Sequence, residues 1–135
     1  MQSCIFCKIV GGEIPSAKVY ETDKVLAFLD ISPVSKGHAL VIPRQHFATA
    51  MDVPDELLQE IIVVVKKVAK AVMEATGAGG VNLALSNHEI AGQTVPHAHF
   101  HVIPRHAGDG LRHWPQGKYA EGEMKGYAEK IKAQL

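Results

Sequence analysis

Cysteine is scarce in this chain, and the scarcity narrows the field before any motif is considered. Only Cys4 and Cys7 occur, too few for a disulfide-stapled secreted scaffold, so the pair reads as metal or redox chemistry of reduced thiols. No basic stretch followed by an apolar core precedes them, and no signal peptide is expected. The longest purely aliphatic run, Ile61 to Val65, falls far short of the roughly 20 residues that cross a bilayer. A cytoplasmic protein with no membrane partner is therefore expected. An excess of one charge is missing as well: Lys+Arg 14 balance Asp+Glu 14. Gripping a nucleic-acid backbone needs a basic surplus, so no nucleic-acid partner is expected. A single nucleotide stays compatible, because one phosphate needs only a few local donors.

No internal repeat, low-complexity tract or linker interrupts the chain, and its length suits a single domain spanning 1–135. Cys4 to Val10 reads as one or two helical turns ended by Gly11-Gly12. Lys18–Tyr20, Val25–Leu29 and Ala39–Ile42 read as short strands, the last stopped by Pro43. The clearest helix runs from about Pro54 to Thr76, with Asp52 as its expected cap and Gly77 as its stop. Leu57, Ile61, Val64, Val65, Val68 and Val72 recur along it as one apolar stripe. Val81–Ser86 and Ala98–Ile103 read as two more strands, and Tyr119–Gln134 as a weaker second helix. Strands gathered around one long helix give an α+β class with an antiparallel sheet. The strands are few enough that pairing with a second copy is expected.

Chemistry concentrates at His97-Ala98-His99-Phe100-His101. Side chains alternate faces along a strand, so the three imidazoles share one face while Ala98, Phe100 and Val102 point to the core. Neighbouring rings would start roughly 6.5–7 Å apart, from a rise of about 3.3 Å per residue. Such a row can surround one phosphate, or it can ligate metal, since imidazole is a common ligand. The strand alone leaves nucleophile and ligand open. Just before it, Ala91-Gly92-Gln93-Thr94-Val95-Pro96 forms a tight polar approach able to offer backbone and hydroxyl donors to phosphate oxygens.

Gln93 to Arg105 resembles the signature of the histidine triad (HIT) family, His-φ-His-φ-His-φ-φ. Cys4 to Ile9, Ile14 to Ala17, Leu26 to Pro33 and Gly37 to Pro43 resemble its Hint-like branch, so the likeness covers 4–105. It implies a five-stranded antiparallel sheet that dimerises into a continuous ten-stranded one, with 106–135 a C-terminal helical segment that helps build the leaving-group side. It also implies hydrolysis of purine nucleoside phosphoramidates or related AMP-X compounds at the α-phosphate. His99 would be the nucleophile that becomes nucleotidylated, a role that suits neutral imidazole near pH 7. His101, Asn87 and Thr94 would hold phosphate oxygens, Gln93 would lie near the leaving group, and Asp30 would accept the ribose hydroxyls. Ile5, Phe6, Ile9, Phe28 and Ile31 would wall the base pocket, with His38 supporting the site from behind. Rival readings are a dinucleoside polyphosphate hydrolase or nucleotidyltransferase on the same His99, a nucleotide-binding regulatory protein, and a metallohydrolase using all three histidines.

Cys4 and Cys7 supply two soft ligands, whereas a closed zinc site needs four. By the same resemblance the other two are His46 and His97, giving a structural zinc that ties the N-terminal segment to the end of the third strand and to the triad. No catalytic metal is required on that reading, because His99 and His101 remain free.

Overall fold

The computed structural model describes residues 3–135, so the first two residues of the expected 1–135 domain lie outside the described residues. The elements run α1 (Ile5–Val10), β1 (Lys18–Glu21), β2 (Val25–Leu29), β3 (Ala39–Pro43), α2 (Asp55–Thr76), β4 (Gly80–Ala84), β5 (Phe100–Arg105) and α3 (Glu123–Lys132). The five strands form one antiparallel sheet in the order β1-β2-β3-β5-β4. This is the expected α+β architecture.

The sheet separates two apolar layers, and strand alternation decides which residue joins which. Val25 and Ala27 of β2, Ala39 and Val41 of β3, and Val102 of β5 face α2, where they pack on Ile61, Val64, Val65, Val68 and Val72. These α2 residues are the sequence-predicted stripe with Leu57 at its edge, spaced to lie on one helical face. Leu26, Phe28, Leu40 and Ile42 point to the other side and pack on Cys4, Phe6 and Ile9 of the α1 region. Burying an aliphatic side chain of this kind stabilises the fold by about 1.5–3 kcal/mol, so β2 and β3, buried on both faces, anchor the molecule.

Several boundaries differ from the sequence reading. Asp52 does not cap α2: its carboxylate accepts from the Thr49 N–H and hydroxyl at 3.1 and 3.0 Å, closing the short 3-10 turn at Ala50–Asp52. α2 starts directly after Pro54, whose fixed φ suits a helix entrance. It ends, as expected, at Gly77 with φ 69°. The β4 strand stops at Ala84 rather than Ser86, and β5 begins at Phe100 rather than Ala98. His97 to His99 therefore precede the strand. α3 begins only after Gly122 and buries none of its residues.

Gly37 places the residue that follows it. Its φ is +98°, and a Cβ there would meet Thr76 Cγ2 at 2.7 Å. Gly37→Ala is expected to lower stability by about 1–3 kcal/mol in urea unfolding. Gly79→Ala, where the added carbon meets nothing within 4 Å, should stay within about 0.5 kcal/mol of the parent.

Candidate active site

The alternation predicted for the triad persists although its first half is not strand. Ala98 and Val102 are buried in the α2-side layer with Phe100 packed against them, and the histidines take the opposite side. There the Phe6 ring meets His97 and His99 edge-on, with centroids 5.9 and 5.1 Å away. From side-chain origins expected roughly 6.5–7 Å apart, the His99 and His101 rings converge to a centroid distance of 4.9 Å. The His99 ring is hydrogen-bonded back to its own chain, Nδ1 to the His97 carbonyl at 2.7 Å.

That bond also settles where the proton sits. A carbonyl only accepts, so His99 carries its hydrogen on Nδ1 and keeps a lone pair on Nε2. The Val34 N–H donates to His38 Nδ1 at 3.1 Å, which puts the His38 hydrogen on Nε2. His38 Nε2–H then donates to His101 Nδ1 at 2.9 Å, leaving His101 with an N–H on Nε2. Main-chain groups thus fix a bare nitrogen on His99 and a donor on His101. Asp30 stands behind, its Oδ2 3.8 Å from His38 Nε2 and its Oδ1 accepting from the Ser32 N–H at 2.8 Å. Although Asp30, His38 and His101 lie close enough to share a metal ion, the Val34 donor keeps His38 Nε2 protonated and unfit as a ligand.

Burial keeps these rings neutral. It pushes His38 and His99 below the ordinary imidazole value, against the pull of the Asp30 carboxylate on both and of the His97 carbonyl on His99. It pushes His101 down to about 4, with neighbouring His99 and His38 adding to the effect and Asp30 opposing it. Desolvation disfavours the charged form, which is the common cause.

A cavity of about 650 Å³ opens in front of His99 and His101. Ile5, Phe6, Ile9, Phe28 and Ile31 line it together with Asp30 and Thr94, as the sequence reading placed them. Ile31 stands at the mouth, 98% exposed. Asn87 and Gln93 do not line this cavity. The Asn87 Oδ1 accepts from the Ala50 N–H at 2.8 Å, and the buried Gln93 amide donates to the Ala48 carbonyl at 2.6 Å while accepting from the His88 N–H at 2.8 Å. A buried amide must satisfy both ends, and Gln93 does so by bracing the loop that carries Thr94. Leu40 is a wall residue the sequence reading missed; alternation along β3, which pairs it with His101, was the signal available.

Behind the triad, Cys4, Cys7, His46 and His97 bring four ligand atoms within 4.8 Å of one another. His97 Nδ1 lies 3.4 Å from Cys4 Sγ and 3.6 Å from Cys7 Sγ, and His46 Nδ1 lies 3.4 Å from Cys7 Sγ. A tetrahedron with bonds of about 2.3 Å to sulfur and 2.0–2.1 Å to nitrogen requires S···N separations of about 3.5 Å. The donor set and spacing therefore fit a closed zinc site. His97 Nε2–H donates to the Pro43 carbonyl at 2.8 Å, which bares Nδ1 toward the sulfurs, the second contact that ligating histidines ordinarily make.

The depressed histidines give stability a pH dependence of definite sign. His101 titrates at about 4 in the fold against 6.5 when unfolded, so the unfolded chain takes the proton first. The stabilisation is complete above pH ~6.5 and is lost as pH falls toward about 4. Urea unfolding across that window should show stability falling, with a shallower fall in His101→Asn. An equal slope in the two proteins would contradict the assignment.

Known proteins are similar to this chain in sequence and fold. The model of the HIT domain matches residues 11–108. Adenosine 5′-monophosphoramidase hnt1 of Schizosaccharomyces pombe is 46% identical over 136 residues, covering 98% of both chains. The crystal structure of a HIT family member from Bacillus subtilis superimposes with a TM-score of 0.92 at 42% identity, covering 98% of this chain and 97% of that one. A Zn-bound histidine triad family protein from Mycobacterium smegmatis does so with a TM-score of 0.78 at 34% identity, covering 99% of each. With the domain model spanning most of its length, the chain belongs to the HIT family.

Proposed function

We propose that this protein hydrolyses purine nucleoside phosphoramidates and related AMP-X compounds through a covalent nucleotidyl-His99 intermediate, releasing the nucleoside monophosphate. The observation that carries this reading is the bare Nε2 of His99, fixed by the His97 carbonyl at the wall of a nucleotide-sized cavity. The 46% identity to a phosphoramidase supports it.

In this mechanism the purine lies between Ile5, Phe6, Ile9, Phe28 and Ile31, and the ribose hydroxyls donate to Asp30. His101 Nε2–H and Thr94 hold the phosphate oxygens. Asn87, whose Oδ1 is engaged by the Ala50 N–H, keeps its amide N–H donors for the phosphate, while Gln93, expected near the leaving group, acts through the loop it braces. The Nε2 lone pair attacks phosphorus, the phosphorus–nitrogen bond breaks, and the departing amine takes a proton from solvent at the open mouth. The nucleotidylated ring keeps its hydrogen on Nδ1 and bears positive charge, which the His97 carbonyl stabilises and which makes it a good leaving group. Water then attacks phosphorus and gives up a proton to solvent, the Nε2–phosphorus bond breaks with its electron pair returning to Nε2, and the neutral ring returns.

Zinc at Cys4, Cys7, His46 and His97 would be structural, because four protein ligands leave no open position for water. A pair of cysteines three residues apart suits metal binding in a reducing compartment, and we place the protein in the cytoplasm. We also propose a homodimer. β4 is one edge of the sheet, and its Leu83 is 48% exposed. Pairing β4 with a second copy gives the ten-stranded sheet.

Two experiments test this reading. His99→Ala should lose at least about 10³-fold in kcat on an AMP–amine conjugate, as removal of a covalent nucleophile does. Turnover within tenfold of the parent would exclude His99 as nucleophile. Elemental analysis should find about one zinc per chain, from the four-ligand count, and chelation should lower Tm; fully reduced protein without metal would contradict the assignment.

A further inference from the structure

His97 belongs to both centres. Its Nδ1 faces Cys4 and Cys7, its Nε2 is tied to Pro43, and its carbonyl holds the His99 Nδ1–H. Its ring is wholly buried. The main-chain tether of this irregular segment, Ala98 N–H to the Phe47 carbonyl at 2.7 Å, runs to the residue after His46. A second route joins the same centres: Cys4 caps α1 by accepting from the Cys7 N–H at 3.4 Å, and Phe6, between the two cysteines, packs edge-on against both His97 and His99.

We propose that the four-ligand cluster is a positioning device for the nucleophile: holding zinc, it pins the His97 main chain and α1 so that the His97 carbonyl keeps His99 in the Nδ1–H form. This rests on the reading of His99 as nucleophile. His97 is the positioning residue; it touches no substrate. Between thiols and imidazoles the cluster is joined by long contacts of 3.4–3.6 Å, with the His46 and His97 rings edge-on at 5.0 Å, and metal bonds would be the strongest of its ties. A released His97 carbonyl frees the His99 ring to exchange its hydrogen between the two nitrogens, and each molecule with Nε2–H lacks the attacking lone pair.

The experiment compares zinc-loaded and chelator-stripped protein, held well below the melting point of the stripped form. Long-range 15N–1H correlations of the His99 ring and steady-state kinetics on an AMP–amine conjugate are measured in parallel. Loaded protein should show a single Nδ1–H ring, and stripped protein a mixture of forms. The kcat should fall about 10- to 100-fold, the usual cost of losing the partner that orients a functional histidine, with a smaller change in KM, and zinc should restore both. Ile61→Val, which loosens the core on the opposite side of the sheet, should move neither readout; if it moves both, general destabilisation accounts for the effect and the proposal fails. Should the stripped chain unfold, zinc is titrated into His46→Ala, whose three remaining ligands hold metal more weakly. The Nδ1–H fraction should then rise with bound zinc. A His99 ring indifferent to metal, or a cluster that binds none, overturns the proposal. A ring that responds to zinc in a protein that turns over no phosphoramidate leaves the coupling standing and removes the phosphoramidase reading instead.

Discussion

The site depends on one hydrogen bond, from His99 Nδ1–H to the carbonyl of His97. A neutral imidazole has one hydrogen and two places to put it, and only the form with a bare Nε2 facing the cavity can attack phosphorus. A side-chain partner could rotate or titrate. A main-chain carbonyl does neither, so the choice is built into the path of the backbone. The same device recurs around it: the Val34 amide orients His38 and, through it, His101, while the Pro43 carbonyl orients His97. Three backbone groups thereby fix which nitrogen of each chemically identical side chain carries the hydrogen and which is bare.

These assignments need neutral rings, and burial supplies them. The layer of Phe6, Phe28 and Leu40 that forms the apolar cavity wall also excludes water from the histidines. The packing that forms the cavity wall and the packing that keeps imidazole uncharged are therefore the same packing. The double burial of β2 and β3 makes the platform stiff enough to hold ring positions within hydrogen-bonding distance.

Much of this was legible in the sequence, for identifiable reasons. The α2 stripe follows from helical spacing, and the separation of Ala98 and Val102 from the three histidines follows from alternation, which survives where regular strand does not. The cluster of Cys4, Cys7, His46 and His97 came from resemblance, and the cavity walls likewise. What was not legible is main-chain chemistry. No residue type announces that the Val34 amide or the His97 carbonyl will meet an imidazole. Asp52 misled because a capping residue has the same signature before a 3-10 turn as before a helix, and the chain places that turn first. Gln93 is a polar residue beside the histidines, yet both ends of its amide are spent within the fold on Ala48 and His88, whereas Asn87 gives only its Oδ1 to the Ala50 N–H.

The most direct measurement of the central claim is to mix the protein with an AMP–amine conjugate, quench within the first turnover, and map the adduct by mass spectrometry. An AMP group on the ring of His99 is predicted. An adduct on another residue, or turnover with no adduct in a quench fast enough to trap one, would contradict the account.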